Sequence, residues 1–365
     1  MKQPSDVFGR KCPSPKSSPH RGEGRVRGGI FIWTEGGFGI GMGHVCRCIV
    51  IAKALRKKGC EPVFIINNDS AVIERVKKNG FKWHMGDFKN IPDVILELKT
   101  VFIDTKKDVS KVLQKLKNAG CKVILMDNTT DARLEADVNI FPSLIPIDDI
   151  DWNGSLLKDC GDKFKGKNYS GGDYIPIDEA FINARKKALN HSLPFKILVT
   201  MGGADPNRLT GMVVSVLKKI KEPIEIRVVI GPASSKDEVL DKIEKENDAG
   251  ILFFRGQDDL SDIMADSHIA ITALGTTLYE LALVGVPAII VANYLEDKKD
   301  MDTYKELGMN LPLGYYKDVT EKDICSAVND FIKNKDLWLK MRQKGWDLIS
   351  GKGAERIAKV VEGVW

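Results

Sequence analysis

Short apolar runs alternate with amphipathic segments along most of the chain. In the first third, nearly continuous apolar runs cover residues 30–34, 62–66, 101–103, 122–126 and 138–140. Between them, apolar residues recur at helical spacing over residues 45–58, 72–78 and 109–119. Strands without polar alternation are typical of a parallel sheet that is covered on both faces. The pattern predicts a Rossmann-like α/β domain over residues 29–141.

The same rhythm returns in the second half of the chain. Apolar runs separated by segments of helical spacing cover residues 196–200, 226–230, 251–254, 268–272 and 287–291. We predict a second Rossmann-like domain over residues 195–350, with a connection over residues 142–194 and a C-terminal helix over residues 351–365. Two such domains would bind a ligand in the cleft between them, at the carboxyl ends of their strands.

A glycine-rich loop lies between the first predicted strand and the first predicted helix. Residues 36–44 read GGFGIGMGH, and backbone N–H groups at such a loop and helix start favour an anion. No Gly-Lys-Ser/Thr sequence follows, and the glycine spacing does not fit a dinucleotide fingerprint. We expect a phosphate-bearing ligand here, with His44 as a neutral base or a phosphate contact. The alternative is a tight turn followed by a structural histidine.

A second candidate turn opens a helix in the predicted C-terminal domain. Residues 272–280 read TALGTTLYE, which places Gly275 and the hydroxyls of Thr276 and Thr277 at a helix start. Such a turn can hold a diphosphate. Glu280 follows about one helical turn later and could accept both hydroxyls of a ribose. The alternative is that Thr276 caps the helix and Glu280 is exposed in its first turns.

Polar residues and glycines also follow other predicted strands. Asp104, Asp127 and Asn128 end strands of the first domain, where either ligand binding or turn chemistry would explain them. Gly202 and Gly203 are expected to line the cleft, and Asp205 is expected to cap the next helix. Gln257 follows another strand and could present backbone groups to a base.

Charge and composition exclude several classes of function. The formal charge of +5 lies wholly in residues 1–28, which carry seven Lys/Arg against Asp6 and Glu23. This Pro-rich stretch is expected to be a disordered basic tail, and the neutral remainder predicts no nucleic-acid partner. No apolar run reaches the ~18 residues of a membrane span. Seven scattered cysteines without a CxxC pair favour a reducing, cytoplasmic location, and no metal-ligand spacing or cofactor motif is found.

Three motifs, in order along the chain, resemble those of the UDP-sugar hydrolase of pseudaminic acid synthesis and its spore-coat polysaccharide relatives. The matching residues are Gly41-Met42-Gly43-His44-Val45-x-Arg47-Cys48, Met201-Gly202-Gly203-Ala204-Asp205-Pro206, and Gly275-Thr276-Thr277-x-x-Glu280 with Gly285-x-Pro287. The resemblance runs over about residues 29–315. It implies a GT-B fold, in which two Rossmann-like domains bind a UDP-sugar between them.

The resemblance also implies roles for individual residues. His44 would activate water or position the sugar, and the first glycine loop with Gly41 and Gly43 would approach the diphosphate. In the second domain, Gly275, Thr276 and Thr277 would hold the phosphates, Glu280 would bind the ribose, and the Gln257 region would border uracil. Further substrate contacts are expected from Arg47, Asp104, Gly202 and Gly203. The chain departs from the family pattern on the sugar side, at Glu35, Thr105, Lys106, Asp178, Glu296 and Asp297.

These observations predict an enzyme that hydrolyses a UDP-activated amino or deoxy sugar with inversion at the anomeric carbon. UDP and a free sugar would be released for nonulosonic acid or surface polysaccharide synthesis. A GT-B glycosyltransferase with a UDP-sugar donor and a non-catalytic nucleotide-sugar-binding protein stay open as alternatives. Sugar 2-epimerase chemistry is disfavoured because its expected carboxylate and histidine pattern is missing.

Overall fold

Two parallel sheets, each with helices on both faces, form the protein. The computed structural model describes residues 29–37, 40–89, 91, 99–145, 166–232 and 234–364. The predicted basic tail, residues 1–28, lies outside the described residues. Every strand pair within the two sheets is parallel. The α/β architecture predicted from the apolar runs is therefore confirmed.

The first sheet contains seven strands in the order β3-β2-β1-β4-β5-β6-β7. The strands are β1 (Phe31–Thr34), β2 (Val63–Ile66), β3 (Lys82–Met85), β4 (Thr100–Asp104), β5 (Lys122–Met126), β6 (Val138–Phe141) and β7 (Lys167–Ser170). Because β1 pairs with both β2 and β4, the strand order reverses at β1. Such a reversal opens a crevice at the carboxyl ends of the strands, where α/β proteins bind ligands.

Apolar side chains cover both faces of this sheet. The helices are α1 (Gly43–Lys57), α2 (Ser70–Lys78) and α3 (Ser110–Asn118). On one face, Val45, Cys48 and Leu55 of α1 pack with strand residues such as Phe64. On the other face, Leu113 of α3 packs among residues that include Trp33, whose ring stacks on Phe88 at 4.8 Å between centroids. Alternate strand residues thus face opposite cores, which explains why the inner strands are almost continuously apolar.

The second sheet contains six strands in the order β10-β9-β8-β11-β12-β13. The strands are β8 (Phe195–Thr200), β9 (Ile224–Ile230), β10 (Ile251–Arg255), β11 (Ile269–Thr272), β12 (Ala288–Ala292) and β13 (Asn310–Tyr315). The remaining helices are α4 (Glu179–Ala184), α5 (Leu209–Leu217), α6 (Glu238–Lys245), α7 (Ser261–Ala265), α8 (Thr277–Val284), α9 (Lys298–Leu307), α10 (Glu321–Lys333), α11 (Lys335–Leu348) and α12 (Gly353–Glu362). Here too the order reverses at the first strand, β8, beside β11.

Two elements from outside the predicted first domain, β7 and α12, pack with the first sheet. β7 pairs with β6, so part of the predicted connection over residues 142–194 extends the first sheet. Ile357 and Val361 of the C-terminal helix α12 join the core of the first sheet, and Lys58 Nζ lies 2.7 Å from Glu362 Oε2. The chain therefore returns to the first domain at its end, while the exact domain bounds stay a prediction. Within the described residues, no helix is long and apolar enough to cross a bilayer.

Candidate functional site

Hydrogen bonds hold the described part of the first glycine loop, residues 36–37 and 40–44, while residues 38–39 lie outside the described residues. Gly41 N–H donates to Gly37 O at 2.8 Å, and Gly37 N–H donates to Gly41 O at 3.1 Å. The Asn67 side chain binds both the N–H and the carbonyl of Gly36, at 3.0 Å and 2.9 Å. Gly37 has φ +104°, and a Cβ there would lie 2.1 Å from Asp69 Oδ2. Only glycine fits at this position, because both the dihedral angle and the space exclude a side chain.

The front of the same loop is open. A Cβ at Gly41 or Gly43 would meet no atom within 4 Å. Helix α1 begins at Gly43, has no side-chain cap at Met42, and carries no acidic residue in its first turn. The first backbone donor bonded inside this helix is Cys46 N–H, to Met42 O at 2.9 Å. The N–H groups of Gly43 and His44 precede it at a helix start without a side-chain cap, which is the arrangement that binds phosphate.

His44 lies in the first turn of α1 and binds a buried carboxylate. Its Nδ1 lies 2.8 Å from Asp104 Oδ1, at the carboxyl end of β4. Arg47, one turn further along α1, donates from Nε to Asp104 Oδ2 at 2.7 Å and from Nη2 to Asp104 Oδ1 at 2.6 Å. Arg47 Nη2 also lies 2.9 Å from Asp127 Oδ2, at the end of β5. The carboxyl ends of two adjacent strands therefore converge on the start of α1.

The charges in this network keep Asp104 ionised. Burial alone would raise its pKa, but Arg47 and His44 lower the pKa of Asp104 from 3.8 to about 2. Burial would likewise lower the pKa of Arg47, yet Asp104 and Asp127 raise it above its usual range. A carboxylate that stays charged beside an imidazole orients the ring and stabilises the imidazolium that forms when it takes a proton.

Asp104 and Arg47, two of the expected substrate contacts, bind each other in this geometry. The side chain of Asp104 is 0% exposed, so it has no surface that a ligand could reach. Arg47 is 11% exposed and commits its Nε and Nη2 to two carboxylates. Sequence position placed both residues at the cleft, but it could not reveal that their charges satisfy each other. Their geometry supports His44, and a contact of either residue with substrate stays a prediction.

The loop after β4 is fixed by a second polar network. The buried Asn128 donates to Thr105 O at 2.7 Å and to Lys107 O at 2.8 Å. Glu35, just after β1, accepts from Thr105 Oγ1 at 3.0 Å and from Lys107 Nζ at 2.7 Å. Glu35, one of the departures from the family pattern, therefore binds protein groups, and Asn128 shapes the loop that presents Lys106.

The glycine turn of the second domain is only partly open. A Cβ at Gly202 or Gly203 would meet no atom within 4 Å, as expected for residues that line a cleft. The helix start behind them is closed, however. Asp205 accepts from Leu209 N–H at 2.9 Å and from Thr210 N–H at 2.8 Å, which confirms its expected capping role. A ligand phosphate cannot use the N-terminus of α5, because a carboxylate already occupies it.

The start of α8 is free of such a cap. Thr276 occupies the N-cap position, but its side chain makes no capping hydrogen bond. The first bonded donor is Leu278 N–H, to Gly275 O at 3.2 Å. Gly275 and Thr276 are exposed, and a Cβ at Gly275 would meet nothing within 4 Å. Of the two glycine turns in the second domain, the one at α8 is therefore the one that can bind an anion.

Glu280 lies half-buried in the first turn of α8. Burial, followed by the nearby charges of Asp259 and Asp178, raises its pKa from 4.5 to about 7. Both neighbours cap helices, since Asp259 accepts from Ser261 N–H at 2.8 Å and Asp178 accepts from Ala180 N–H at 3.1 Å. A carboxyl group with so high a pKa marks a candidate functional residue. Its environment favours a ligand that offers hydrogen-bond donors.

Contacts across the cleft join α2 of the first domain to the loop after β10 of the second, and Glu280 of α8 lies near enough to α1 for its charge to act there. Burial raises the pKa of the Cys46 thiol on α1, and the charges that act on it include Arg75 and Glu280. Arg75 and Lys78 of α2 form ion pairs with Asp258, the residue after Gln257. Gln257 itself is exposed, and its Nε2 donates to Arg255 O at 3.3 Å. Sequence reasoning missed the Asp258 contacts, because partners from different domains leave no local pattern.

Comparisons with known proteins support the fold. Residues 196–344 match the glycosyltransferase family 28 C-terminal domain. The solved structure of MurG from Acinetobacter baumannii has a TM-score of 0.64 and 14% identity, covering 92% of this chain and 99% of that one. The UDP-GlcNAc 2-epimerase of Neisseria meningitidis, solved with UDP-GlcNAc, has a TM-score of 0.61 and 12% identity, covering 92% of this chain and 100% of that one. The predicted GT-B fold is confirmed.

Proteins of polysaccharide and pseudaminic acid biosynthesis are among the sequence relatives of this chain. Spore coat polysaccharide biosynthesis protein SpsG of Bacillus subtilis is 23% identical, covering 92% of this chain and 98% of that protein. The pseudaminic acid cytidylyltransferase and UDP-2,4-diacetamido-2,4,6-trideoxy-beta-L-altropyranose hydrolase of Helicobacter pylori is 24% identical over 82% of this chain. The chain spans 50% of the Helicobacter protein, and 63% of an uncharacterized Methanocaldococcus jannaschii protein that is 27% identical over 81% of this chain. The chain is therefore similar in sequence to spore-coat polysaccharide and pseudaminic acid proteins, and its second half resembles a glycosyltransferase domain.

Proposed function

We propose that this protein hydrolyses a UDP-activated amino or deoxy sugar, with water attacking the anomeric carbon and inversion of configuration. One observation carries the proposal: the imidazole of His44, held by the buried Asp104, lies in the first turn of a helix whose N-terminus is uncapped. A second uncapped helix start, that of α8, carries Glu280 in its first turn, and the charge of Glu280 acts on Cys46 near the start of α1. The products would be UDP and a free sugar for nonulosonic acid or surface polysaccharide synthesis.

The nucleotide would be held mainly by the second domain. The free N–H groups at α8, with Gly275 and the hydroxyls of Thr276 and Thr277, suit the two phosphates. Glu280 would accept the ribose hydroxyls, and binding would require it in its charged form. The region of Gln257 would border uracil, and Gly202 and Gly203 would leave room for the nucleotide beside α5.

The sugar–phosphate junction would then lie against the first loop. Gly41 and Gly43 allow the diphosphate to approach the N–H groups of α1, because neither position carries a side chain. His44 would take a proton from water as the water oxygen bonds to the anomeric carbon. The bond from that carbon to the phosphate oxygen breaks, and its electron pair leaves with UDP. The helix N-termini stabilise the charge that develops on the leaving group.

Asp104 would assist this step without touching substrate. As His44 gains a proton, the imidazolium forms beside a carboxylate whose pKa is held at about 2, so the two charges attract. A positioned general base of this kind contributes about 10²–10⁴ in rate. Hydrolase activity is part of the name of the Helicobacter relative, and that name supports the same reaction for this chain.

A glycosyltransferase is the second candidate, and the match of residues 196–344 to a glycosyltransferase domain favours it. In that case a hydroxyl acceptor would take the place of water at His44. A non-catalytic nucleotide-sugar-binding protein is the third, since Glu296 and Asp297 depart from the family pattern near the expected sugar position. These alternatives differ in what they require for UDP release.

The test is UDP release from a panel of UDP-amino and UDP-deoxy sugars without an acceptor. The wild-type protein is expected to release UDP from at least one donor, and His44→Ala to lower the rate at least ~10²-fold while UDP still binds. His84→Ala is the matched control, because this exposed histidine lies on the edge strand β3 with its ring against Phe31. Release only with an added acceptor would identify a transferase. Tight binding without release of UDP under any condition would identify a binding protein.

A further inference from the structure

Three acceptors surround one nitrogen of Arg47. Its Nη2 lies 2.6 Å from Asp104 Oδ1, 2.9 Å from Asp127 Oδ2 and 2.8 Å from His44 Nδ1. A guanidinium Nη2 carries only two hydrogens. One of the three groups must therefore go without a hydrogen bond from Arg47. Which group that is decides where the proton of the neutral His44 ring resides.

The geometry assigns both hydrogens of Nη2 to the carboxylates. Hydrogen bonds between charged partners are roughly twice as strong as those to a neutral acceptor such as the imidazole nitrogen. His44 Nδ1 also lies 2.8 Å from Asp104 Oδ1. Without a proton between them, two lone pairs would oppose each other at that distance. Nδ1 must then carry the proton and donate it to Asp104, which leaves Nε2 with its lone pair.

Asp127 is held where it can take the second hydrogen. Its backbone has φ +53°, a left-handed conformation that non-glycine residues seldom adopt. Its N–H donates to Ile140 O at 2.9 Å, which fixes this turn against β6. The side chain is 28% exposed, so the carboxylate borders the open cleft while it binds Arg47. Strain of this kind at the end of a strand is typical of functional positions.

We propose that Asp127 is a positioning residue that fixes the tautomer of His44. By accepting the second N–H of Arg47 Nη2, it prevents that N–H from pointing at the imidazole. Without Asp127, the freed N–H of Arg47 Nη2 competes with Asp104 for Nδ1, because it can donate to that nitrogen only when Nδ1 carries no proton. In the molecules in which it does so, Nδ1 has lost its proton to solvent, Nε2 has gained one from solvent, and the ring can no longer accept a proton from water through Nε2. This inference rests on the proposed role of His44 as the base.

Two substitutions separate the carboxylate from the backbone strain. Asp127→Gly removes the acceptor but tolerates a positive φ, and Asp127→Asn keeps an acceptor oxygen in a residue that also tolerates this conformation. The tautomer is read by nitrogen-15 NMR of histidine-labelled protein, with the His44 signals assigned from their loss in His44→Ala. This readout depends on the position of one proton and requires no substrate.

The wild-type protein and Asp127→Asn are expected to show Nδ1 protonated and Nε2 unprotonated, and Asp127→Gly to show a fraction of rings protonated at Nε2. On the donor that the wild type cleaves, Asp127→Gly should lower kcat in proportion to that fraction with little change in KM, because a wrong tautomer removes the base and not the binding site. A wild-type ring protonated at Nε2 overturns the proposal without any variant. An unchanged tautomer in Asp127→Gly also overturns it. If no donor is cleaved at all, the proposed function fails while the NMR result still stands by itself.

Discussion

Replacing Glu280 with glutamine should stabilise the protein at pH 8 and leave its stability unchanged at pH 5. Burial and the charges of Asp259 and Asp178 raise the pKa of this carboxyl from 4.5 to about 7. The folded protein therefore binds a proton more tightly here than the unfolded chain does. The contribution of this group to the free energy of unfolding is fully present below pH 4.5. It is lost as the pH rises to about 7, where the folded state also loses the proton.

The size of the effect follows from the two pKa values. The interval from 4.5 to about 7 corresponds to about 3 kcal/mol, at about 1.4 kcal/mol per pH unit. Glu280 is half-buried, so solvent screening lowers the expected gain to about 1–2 kcal/mol. Glutamine has nearly the same shape and no charge, so it removes the cost of ionisation at pH 8. At pH 5 the wild-type residue is already protonated, and the substitution changes little.

The assay is urea unfolding of both proteins at pH 5 and pH 8. Glu306→Gln on α9 is the matched control, since this glutamate is exposed to solvent and its substitution should change stability by no more than about 0.5 kcal/mol. The affinity for UDP-glucose should rise with pH, whereas the stability contributed by Glu280 falls. UDP-glucose is a suitable ligand because its phosphates do not titrate between pH 5 and pH 8, so a change in affinity reports on the protein. The wild type should bind it more tightly as the pH rises through about 7, and Glu280→Gln should lose that dependence. Equal stability of Glu280→Gln and wild type at pH 8 would refute the reasoning.

Two further predictions concern the glycine loop and the capped helix. Gly43→Ala should fold as the wild type does, because α1 tolerates alanine there and the Cβ meets nothing within 4 Å. The added methyl group should nevertheless raise KM for the UDP-sugar about tenfold, because it obstructs the phosphate. Gly37→Ala, with φ +104° and the Asp69 carboxylate in the way, should instead lower the melting temperature; unfolding curves and initial rates distinguish the two outcomes. Asp205→Ala should destabilise the protein by about 1–2 kcal/mol in urea, since two N–H groups of α5 lose their acceptor. An unchanged urea midpoint would refute the capping role.

The sequence predicts the inner strands and the edge strand β10 well, and the other three edge strands poorly. β3 and β7 are the two edge strands of the first sheet, and β13 is an edge strand of the second. An edge strand has one unpaired side and needs no continuous apolar run, as in Lys82–Met85, whose residues are mostly exposed. β13 also contains Pro312 and Gly314, which weaken any strand signal. These elements form because a neighbouring strand offers hydrogen bonds, which no local pattern records.

The candidate site also has features that local sequence predicts and features that it does not. The position of His44 and the open turns at Gly43 and Gly275 follow from local sequence, because a loop and a helix start are contiguous in the chain. The burial of Asp104 and its ion pair with Arg47 depend on residues 57 positions apart. The left-handed backbone of Asp127 depends on contacts with β6. Such features are set by tertiary packing, so sequence reasoning could place these residues at the cleft but could not give their roles.

The most direct measurement of the central claim is the fate of oxygen from solvent. A cleaved UDP-sugar is turned over in water enriched in oxygen-18, without an acceptor, and both products are analysed by mass spectrometry while NMR follows the first anomer formed. Attack of water at the anomeric carbon, activated by His44, predicts the label in the free sugar and none in UDP, with the anomer opposite to that of the donor. Label in UDP, or a sugar with the donor's configuration, would contradict the account.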